Sequence, residues 1–284
     1  MCFTVAKRIY FISDAHLGSR ALSDPKAHER RLCDFLTGIM YDARAVYMLG
    51  DMFDFWFEYH NVVPKGSTRF LGKLSELADR GVELHYFTGN HDIWAFDYLE
   101  RECGVVIHRG PQVIKLERDA VGSQGLAAPM RVYLAHGDGL GDESRSFRFI
   151  RAVFHSRLCQ WLFRNLVPAD LGVELGLRWA KQSRLRHTFG GVITNEFGDV
   201  LATHISHEEP FKGEDREELV LYAKEHLAEH PEIDAYIFGH RHIELDLMLA
   251  KDKRLIILGE WMNLCTYAEW DGACLSLNSL EEQS

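Results

Sequence analysis

Ile9-Tyr10-Phe11-Ile12-Ser13-Asp14-Ala15-His16 decides how the chain is read: a run of β-branched and aromatic residues, as buried strands prefer, breaks off onto an aspartate and a histidine. Four further apolar runs end in the same manner. Ala45 to Leu49 leads into Gly50-Asp51-Met52-Phe53-Asp54, and Glu83 to Thr88 into Gly89-Asn90-His91-Asp92. Arg131 to Ala135 leads into His136-Gly137-Asp138, and Ala235 to Phe238 into Gly239-His240-Arg241-His242. A lone histidine or Gly-Asp is more often a turn or a surface feature than a ligand. Five such endings in one chain, all after strand-like segments, specify a two-metal hydrolytic site.

Between the runs lie segments of helical period. Leu32, Phe35, Leu36 and Ile39 mark His28 to Met40, a second helix is expected over Thr68 to Arg80, and Leu219, Tyr222, Ala223 and Leu227 mark Asp215 to His230. With a last strand at Arg254 to Leu258, the alternation predicts an α/β domain with a largely central sheet. Ligands in such folds gather beyond the carboxyl ends of strands, where all five motifs fall.

The donors are nitrogen and oxygen. Extended backbone sends residues i and i+2 to one side, so Asp14 and His16 are expected to converge, as are His240 and His242. Asp51 adds a small anionic ligand, Asn90 a neutral amide oxygen and His136 another imidazole. This mixture suits two divalent ions, with Mn2+ expected and iron, cobalt or zinc compatible; the absence of cysteine near the donors disfavours a closed structural zinc site. His91 neighbours a ligand and is placed to donate a proton to a leaving oxygen or to stabilise developing charge.

Composition bounds the remainder. A chain of 284 residues with 46% hydrophobic content supports one full globular unit, 1–284, and a net charge of −10 argues against a protein that coats nucleic acid. Six scattered cysteines without a C-x-x-C spacing read as reduced thiols. No stretch approaches the roughly 20 apolar residues of a membrane span, and the first residues lack the apolar core of a signal peptide. A cytoplasmic protein is expected, without nucleic acid or an obligate protein partner.

One segment departs from the rhythm. Over 143–213 an apolar helical stripe (Phe147, Ile150, Phe154, Leu158, Trp161, Leu162, Leu166) is surrounded by Arg148, Arg151, Arg157 and Arg164, with Trp179, Lys181, Arg184, Arg186 and His187 beyond. Two readings stand: a helix pair packed on the core with a solvated arginine face, or a cap over the metals that receives a substrate both anionic and apolar. From Thr188 to Gly213, Val192 to Thr194 and Val200 to Thr203 suggest a hairpin around Phe197-Gly198-Asp199. His204, His207 and Lys212 follow it as surface or cap residues rather than metal ligands.

The ordered motifs, D-x-H, G-D-x-x-D, G-N-H-D, H-G and G-H-x-H, closely resemble those of the calcineurin-like metallophosphoesterases. The resemblance covers Ile9 to about His242 and implies a sandwich of two β-sheets flanked by helices, here with a helical cap insertion. Carried over position by position, it implies that Asp14, His16 and His242 bind one metal, that Asn90, His136 and His240 bind the other, and that Asp51 bridges them. It also implies that Asp54 orients His91 as its carboxylate partner.

Within that superfamily, Gly50-Asp51-Met52-Phe53-Asp54-Phe55-Trp56 lacks the Asp-Arg-Gly continuation of phosphoprotein phosphatases. Together with His136-Gly137-Asp138, Phe147-Arg148, Val153-Phe154-His155 and Leu258-Gly259-Glu260-Trp261, it looks like the UDP-2,3-diacylglucosamine pyrophosphohydrolases of lipid A biosynthesis. That resemblance implies a lipid-linked UDP-sugar substrate, Arg151, Arg157, Phe154 and Trp161 as substrate-binding residues, and peripheral contact with the inner membrane. Many members of that family have Gly-Asn-Arg-Asp where this chain has His91, so a metallophosphodiesterase acting on soluble nucleotides or nucleic acid stands as the alternative. A non-catalytic scaffold of the same fold would have lost ligands, and this chain has lost none.

Overall fold

The computed structural model describes residues 8–118, 128–141, 152–187, 193–194, 200–202 and 211–280. In chain order the first elements are β1 (Arg8–Ile12), α1 (Pro25–Ile39), β2 (Ala43–Met48), α2 (Thr68–Asp79), β3 (Glu83–Phe87), α3 (Tyr98–Cys103), β4 (Val105–His108), β5 (Gln112–Leu116) and β6 (Met130–Ala135). Then follow α4 (Arg157–Leu166), α5 (Ala169–His187), the short strands β7 (Ile193–Thr194) and β8 (Val200–Ala202), and α6 (Glu218–Glu229). The chain closes through β9 (Ala235–Phe238), β10 (Glu244–Ala250), β11 (Lys253–Leu258), β12 (Thr266–Trp270) and β13 (Leu275–Ser279).

Successive side chains of a strand point to opposite faces, and here both faces are buried. From β1, Ile9 and Phe11 join Ala45, Tyr47 and Phe87 against Val132, Leu134, Ala235, Ile237, Ile256 and Leu258. The alternate residues Tyr10, Ile12, Val46 and Met48 pack instead on Leu32 and Leu36 of α1 and Phe70, Leu74 and Leu77 of α2. Likewise Tyr133, Tyr236, Phe238, Leu255 and Ile257 turn away from the shared core onto Leu219, Val220 and Ala223 of α6.

These contacts define two sheets packed face to face with helices outside. One has the order β13-β12-β1-β2-β3-β4 and the other β10-β11-β9-β6-β5. The strand pairs β1–β2, β2–β3, β6–β9 and β9–β11 are parallel, so the five motif-bearing strands deliver their carboxyl ends to one rim of the sandwich. Periodicity alone favoured a central sheet; the second sheet corrects it. A continuous apolar run says only that both faces are covered, and a helix or another sheet covers a strand equally well.

Between β6 and α6 the described residues contain α4, α5 and the β7–β8 pair, the last matching the expected hairpin, with Ile193 opposite Ala202. The expected single apolar helix is interrupted at Ser156, whose extended backbone leaves the helix and whose side chain caps α4 by accepting from Cys159 N. No helix among the described residues is long and apolar enough to cross a membrane.

Candidate metal centre

Backbone hydrogen bonds lace the motif loops together before any side chain is considered. Asp14 N donates to Gly50 O (3.0 Å), His16 N to Asp51 O (2.9 Å) and Asp54 N to Leu17 O (3.0 Å), which binds the first two loops side by side. Trp261 N donates to Asp14 O and Gly239 N to His136 O, drawing in the loops after β11 and β9.

Convergence of the donor pairs does occur, though not through extended backbone. Asp14, His16, Asp51, His240 and His242 all have positive φ, between 44° and 70°, beyond the ends of their strands. Non-glycine residues hold this region at a cost of roughly 1–3 kcal/mol each, and such strain persists only where surrounding contacts over-determine it. The close approach of the loops also dictates glycine at two motif positions. A Cβ on Gly89 would stand 2.2 Å from Asp51 Oδ1, and one on Gly50, at φ +92°, would stand 2.6 Å from the His136 ring.

Two clusters result. In the first, His242 Nε2 is 3.2 Å and His16 Nε2 3.9 Å from Asp14 Oδ1, and the two imidazole nitrogens are 3.1 Å apart. In the second, His136 Nε2 lies 3.4 Å from Asp51 Oδ2 and 3.3 Å from Asn90 Oδ1, with His240 alongside. Asp51 is also within 4.8 Å of donor atoms on His16 and His91, so it faces both clusters. His136 Nδ1 donates to Leu49 O at 2.7 Å, which fixes the tautomer and turns the Nε2 lone pair toward the other donors.

The donor set fits divalent cations. Asp14 is fully buried, yet its Oδ1 accepts no hydrogen bond among the described residues. Burial works against a charge on Asp51, but His136, His91 and His16 around it hold its carboxyl well below the usual carboxylate range. Burial and then the neighbouring His136 push His240 down to about 3, which favours the neutral imidazole a metal requires. His136 and His242 go the other way: against burial, Asp51 raises the first and Asp14 the second, so both hold protons that a bound cation would displace. Buried carboxylates and imidazoles converging within a few ångströms are the arrangement a cation stabilises.

His91 belongs to the same group, its ring 4.9 Å from that of His16. Its Nδ1 donates to the backbone carbonyl of Asp54 at 2.8 Å. The Asp54 carboxylate lies 3.6 Å from His16 Nδ1. A main-chain contact thus joins positions 54 and 91, and the Asp54 carboxylate also stands beside a donor of the first cluster.

Asp92 and His28 position the loops, although neither was singled out for that work from the sequence. Fully buried Asp92 accepts from Gly89 N (2.7 Å), Met52 N (2.9 Å) and the Tyr86 hydroxyl, so one carboxylate holds two motif loops. Burial, reinforced by the charge of Asp51, pushes it up to about 6. His28 Nε2 donates to Ala15 O, between Asp14 and His16 (2.7 Å). The only signal for Asp92 was its place in the third motif. A cleft beside His136 is lined further by Thr88, Arg109, Asp138 and His155.

Of the residues expected to bind substrate, Arg151 lies outside the described residues, as do Phe147, Arg148 and Ile150, and His204 and His207. Phe154 packs on Trp94, three residues past His91: its carbonyl accepts from Trp94 Nε1 at 2.7 Å and its ring stands 5.4 Å from that indole. Arg157 and Trp161 are exposed on α4, outside the donor clusters, and Lys212 is exposed too. The helix is anchored by a different residue, Phe163, whose ring packs on Phe57 and Trp94 at 4.8 and 5.0 Å. Leu158, Trp161, Leu162 and Leu166 are left 65, 57, 38 and 69% exposed, so this part of the stripe is surface rather than core.

Comparison with known proteins points the same way. The family model for calcineurin-like phosphoesterases matches residues 7–244. The chain is 40% identical over 282 residues to a UDP-2,3-diacylglucosamine hydrolase of Porphyromonas gingivalis, covering 97% of this chain and 98% of that protein. To a UDP-2,3-diacylglucosamine hydrolase of Edwardsiella ictaluri it is 29% identical over 174 residues, and the match spans 61% of each chain. Among solved structures, the E. coli phosphoesterase Yfce is similar with a TM-score of 0.40 and 14% identity, covering 98% of this chain and 95% of that one.

Proposed function

We propose what this enzyme hydrolyses from one premise: the chain belongs to the calcineurin-like phosphoesterase family. It is a metal-dependent pyrophosphohydrolase that cleaves UDP-2,3-diacylglucosamine to UMP and 2,3-diacylglucosamine 1-phosphate. One observation carries the choice of substrate: an apolar, arginine-bearing helix is exposed and is anchored through Phe163 on Trp94, three residues past His91, which suits a two-chain amphiphile with an anionic head. The near full-length likeness to the Porphyromonas gingivalis hydrolase supports it.

Asp14, His16 and His242 would hold one divalent ion, Asn90, His136 and His240 the other, and Asp51 would lie between them, with Mn2+ the first candidate. When bound, such ions supply Lewis-acid stabilisation of a phosphoryl group and lower the pKa of coordinated water to about 7. The chain supplies the rest. With His91 Nδ1 committed to a carbonyl, the exchangeable proton of that ring resides at Nε2, from which it is given to the departing oxygen. Arg151 and Arg157 meet the diphosphate, while Phe154 and Trp161 meet the acyl chains.

Hydrolysis of UDP-2,3-diacylglucosamine, UDP-glucosamine and a generic aryl phosphodiester, measured side by side, tests the assignment. The lipid nucleotide is expected to have a kcat/KM about 100-fold or more above the others, because only it reaches the apolar helix. Arg157→Ala should raise KM for the lipid nucleotide several-fold and leave the aryl ester unchanged. Equal kcat/KM on UDP-glucosamine and the lipid nucleotide would overturn the substrate.

The same helix brings the active site to the bilayer that holds the substrate. Leu158, Trp161, Leu162 and Leu166 enter the headgroup boundary, while neighbouring arginines meet anionic lipid, an arrangement that binds without anchoring. In co-sedimentation with anionic vesicles, wild type is expected to pellet at low salt and to be released at high salt, and Trp161→Glu to stay in the supernatant. Wild type in the supernatant throughout would remove the membrane from the reading.

A further inference from the structure

We propose that Glu217 and Arg241 form a buried clamp that positions the ligand loop Gly239-His240-Arg241-His242, making both of them positioning residues for the metal centre. The proposal rests on His240 and His242 being ligands, as assigned above. Glu217 is fully buried and receives Arg241 bidentately, Nε on Oε1 at 2.5 Å and Nη2 on Oε2 at 3.0 Å, with 11% of the arginine side chain exposed. Planar, two-bond pairing of this kind fixes direction as well as distance.

The loop needs such a hold. His240 and His242, on either side of Arg241, are both left-handed, at φ 70° and 54°. Two strained residues around one arginine relax unless other contacts over-determine them. His240 N on Asp14 Oδ2 (2.9 Å) restrains the loop from the metal side, and Gly239 N on His136 O (2.9 Å) restrains its start. Restraint from behind comes through the Arg241 side chain. Its partner is well founded: Glu217 immediately precedes α6, whose Leu219, Val220 and Ala223 lie in the core, and Glu217 N is tied to Gly213 O at 2.9 Å.

Electrostatics make the same demand. A guanidinium between two metal ligands opposes the binding of dications, and only a carboxylate in direct contact cancels it at that range. Without Glu217, Arg241 would be a buried, uncompensated charge next to the site. Neither residue would touch substrate or reacting atoms. They act through the imidazoles.

Mn2+ titration of metal-free protein by calorimetry, with the melting temperature of each metal-free variant, tests this. Removing one partner strands a buried charge and endangers folding, so the pair is replaced together by Glu217→Leu with Arg241→Met, a change that buried ion pairs commonly tolerate. The double variant is expected to melt near wild type and to bind Mn2+ about 10- to 100-fold more weakly, as loss of a supporting contact does. Arg241→Lys, which keeps the charge and loses the fork, is expected to lose about tenfold and serves if the double variant does not fold. A purely structural pair would move the melting temperature alone. Wild-type Mn2+ affinity in either folded variant overturns the clamp, whereas absence of Mn2+ binding in wild type overturns the ligand assignment itself.

Discussion

Asp51→Ala is expected to abolish turnover, with kcat below about a thousandth of wild type, and to release at least one metal ion per chain. The carboxylate contacts donors of both clusters: Oδ2 faces His136 Nε2 at 3.4 Å, Oδ1 accepts from His91 N at 2.9 Å, and His16 and His240 lie within the same groups. Asp92, a buried carboxylate beside it, cannot take its place, being already spent on Gly89 N, Met52 N and the Tyr86 hydroxyl. Asp51→Asn keeps the shape and removes the charge, so it should fold as wild type does while still losing metal. Metal analysis after gel filtration, beside hydrolysis of an aryl phosphodiester, reads both effects. Full metal content with normal turnover in Asp51→Ala would end the dinuclear reading.

Much of this centre was legible because its donors are announced locally. An apolar run that stops at Asp14, Asp51, Asn90, His136 or His240 marks a strand end, and parallel strands deliver those ends to one rim. The outer strands of both sheets were less legible. β10, an edge of one sheet, reads Glu244-Leu-Asp-Leu-Met-Leu-Ala250 with every other residue exposed, and β12 and β13, at one end of the other, mix serine, asparagine and glutamate with apolar residues, so strands away from the centre carry a weaker signal than central ones. Nor does a sequence state backbone hand. The convergence of Asp14 with His16 and of His240 with His242 was expected from extended geometry and is achieved by left-handed turns instead.

The supporting residues were hidden for a different reason. Glu217 meets Arg241 across 24 positions and Asp92 meets Met52 across 40, and neither pairing has a local signature. On α4 the periodicity was correct and its meaning was open. A helical stripe at that spacing fits a core face or a docking face, and only the anchoring of the helix through Phe163 shows which side turns outward.

His91→Ala separates chemistry from metal binding: both ions are expected to stay, and kcat on the lipid nucleotide is expected to fall by about 100-fold or more, as loss of a general acid does. Its imidazole is held at Nδ1 by the Asp54 carbonyl, and Asp51 Oδ1 is held by the His91 main-chain N–H, which alanine retains. The Asp51 carboxylate therefore keeps that contact in the variant. A substrate with a more acidic leaving group needs less protonation, so the deficit should shrink with a nitrophenyl ester and widen with an alkyl one. Asp54→Ala supplies the contrast. Because position 54 meets His91 through main chain and His16 through its carboxylate at 3.6 Å, this variant should weaken Mn2+ binding while leaving the dependence on leaving group unchanged. If His91→Ala loses metal and keeps its leaving-group dependence, the ring is a ligand and the proton must come from elsewhere in the cleft, where His155 is the candidate.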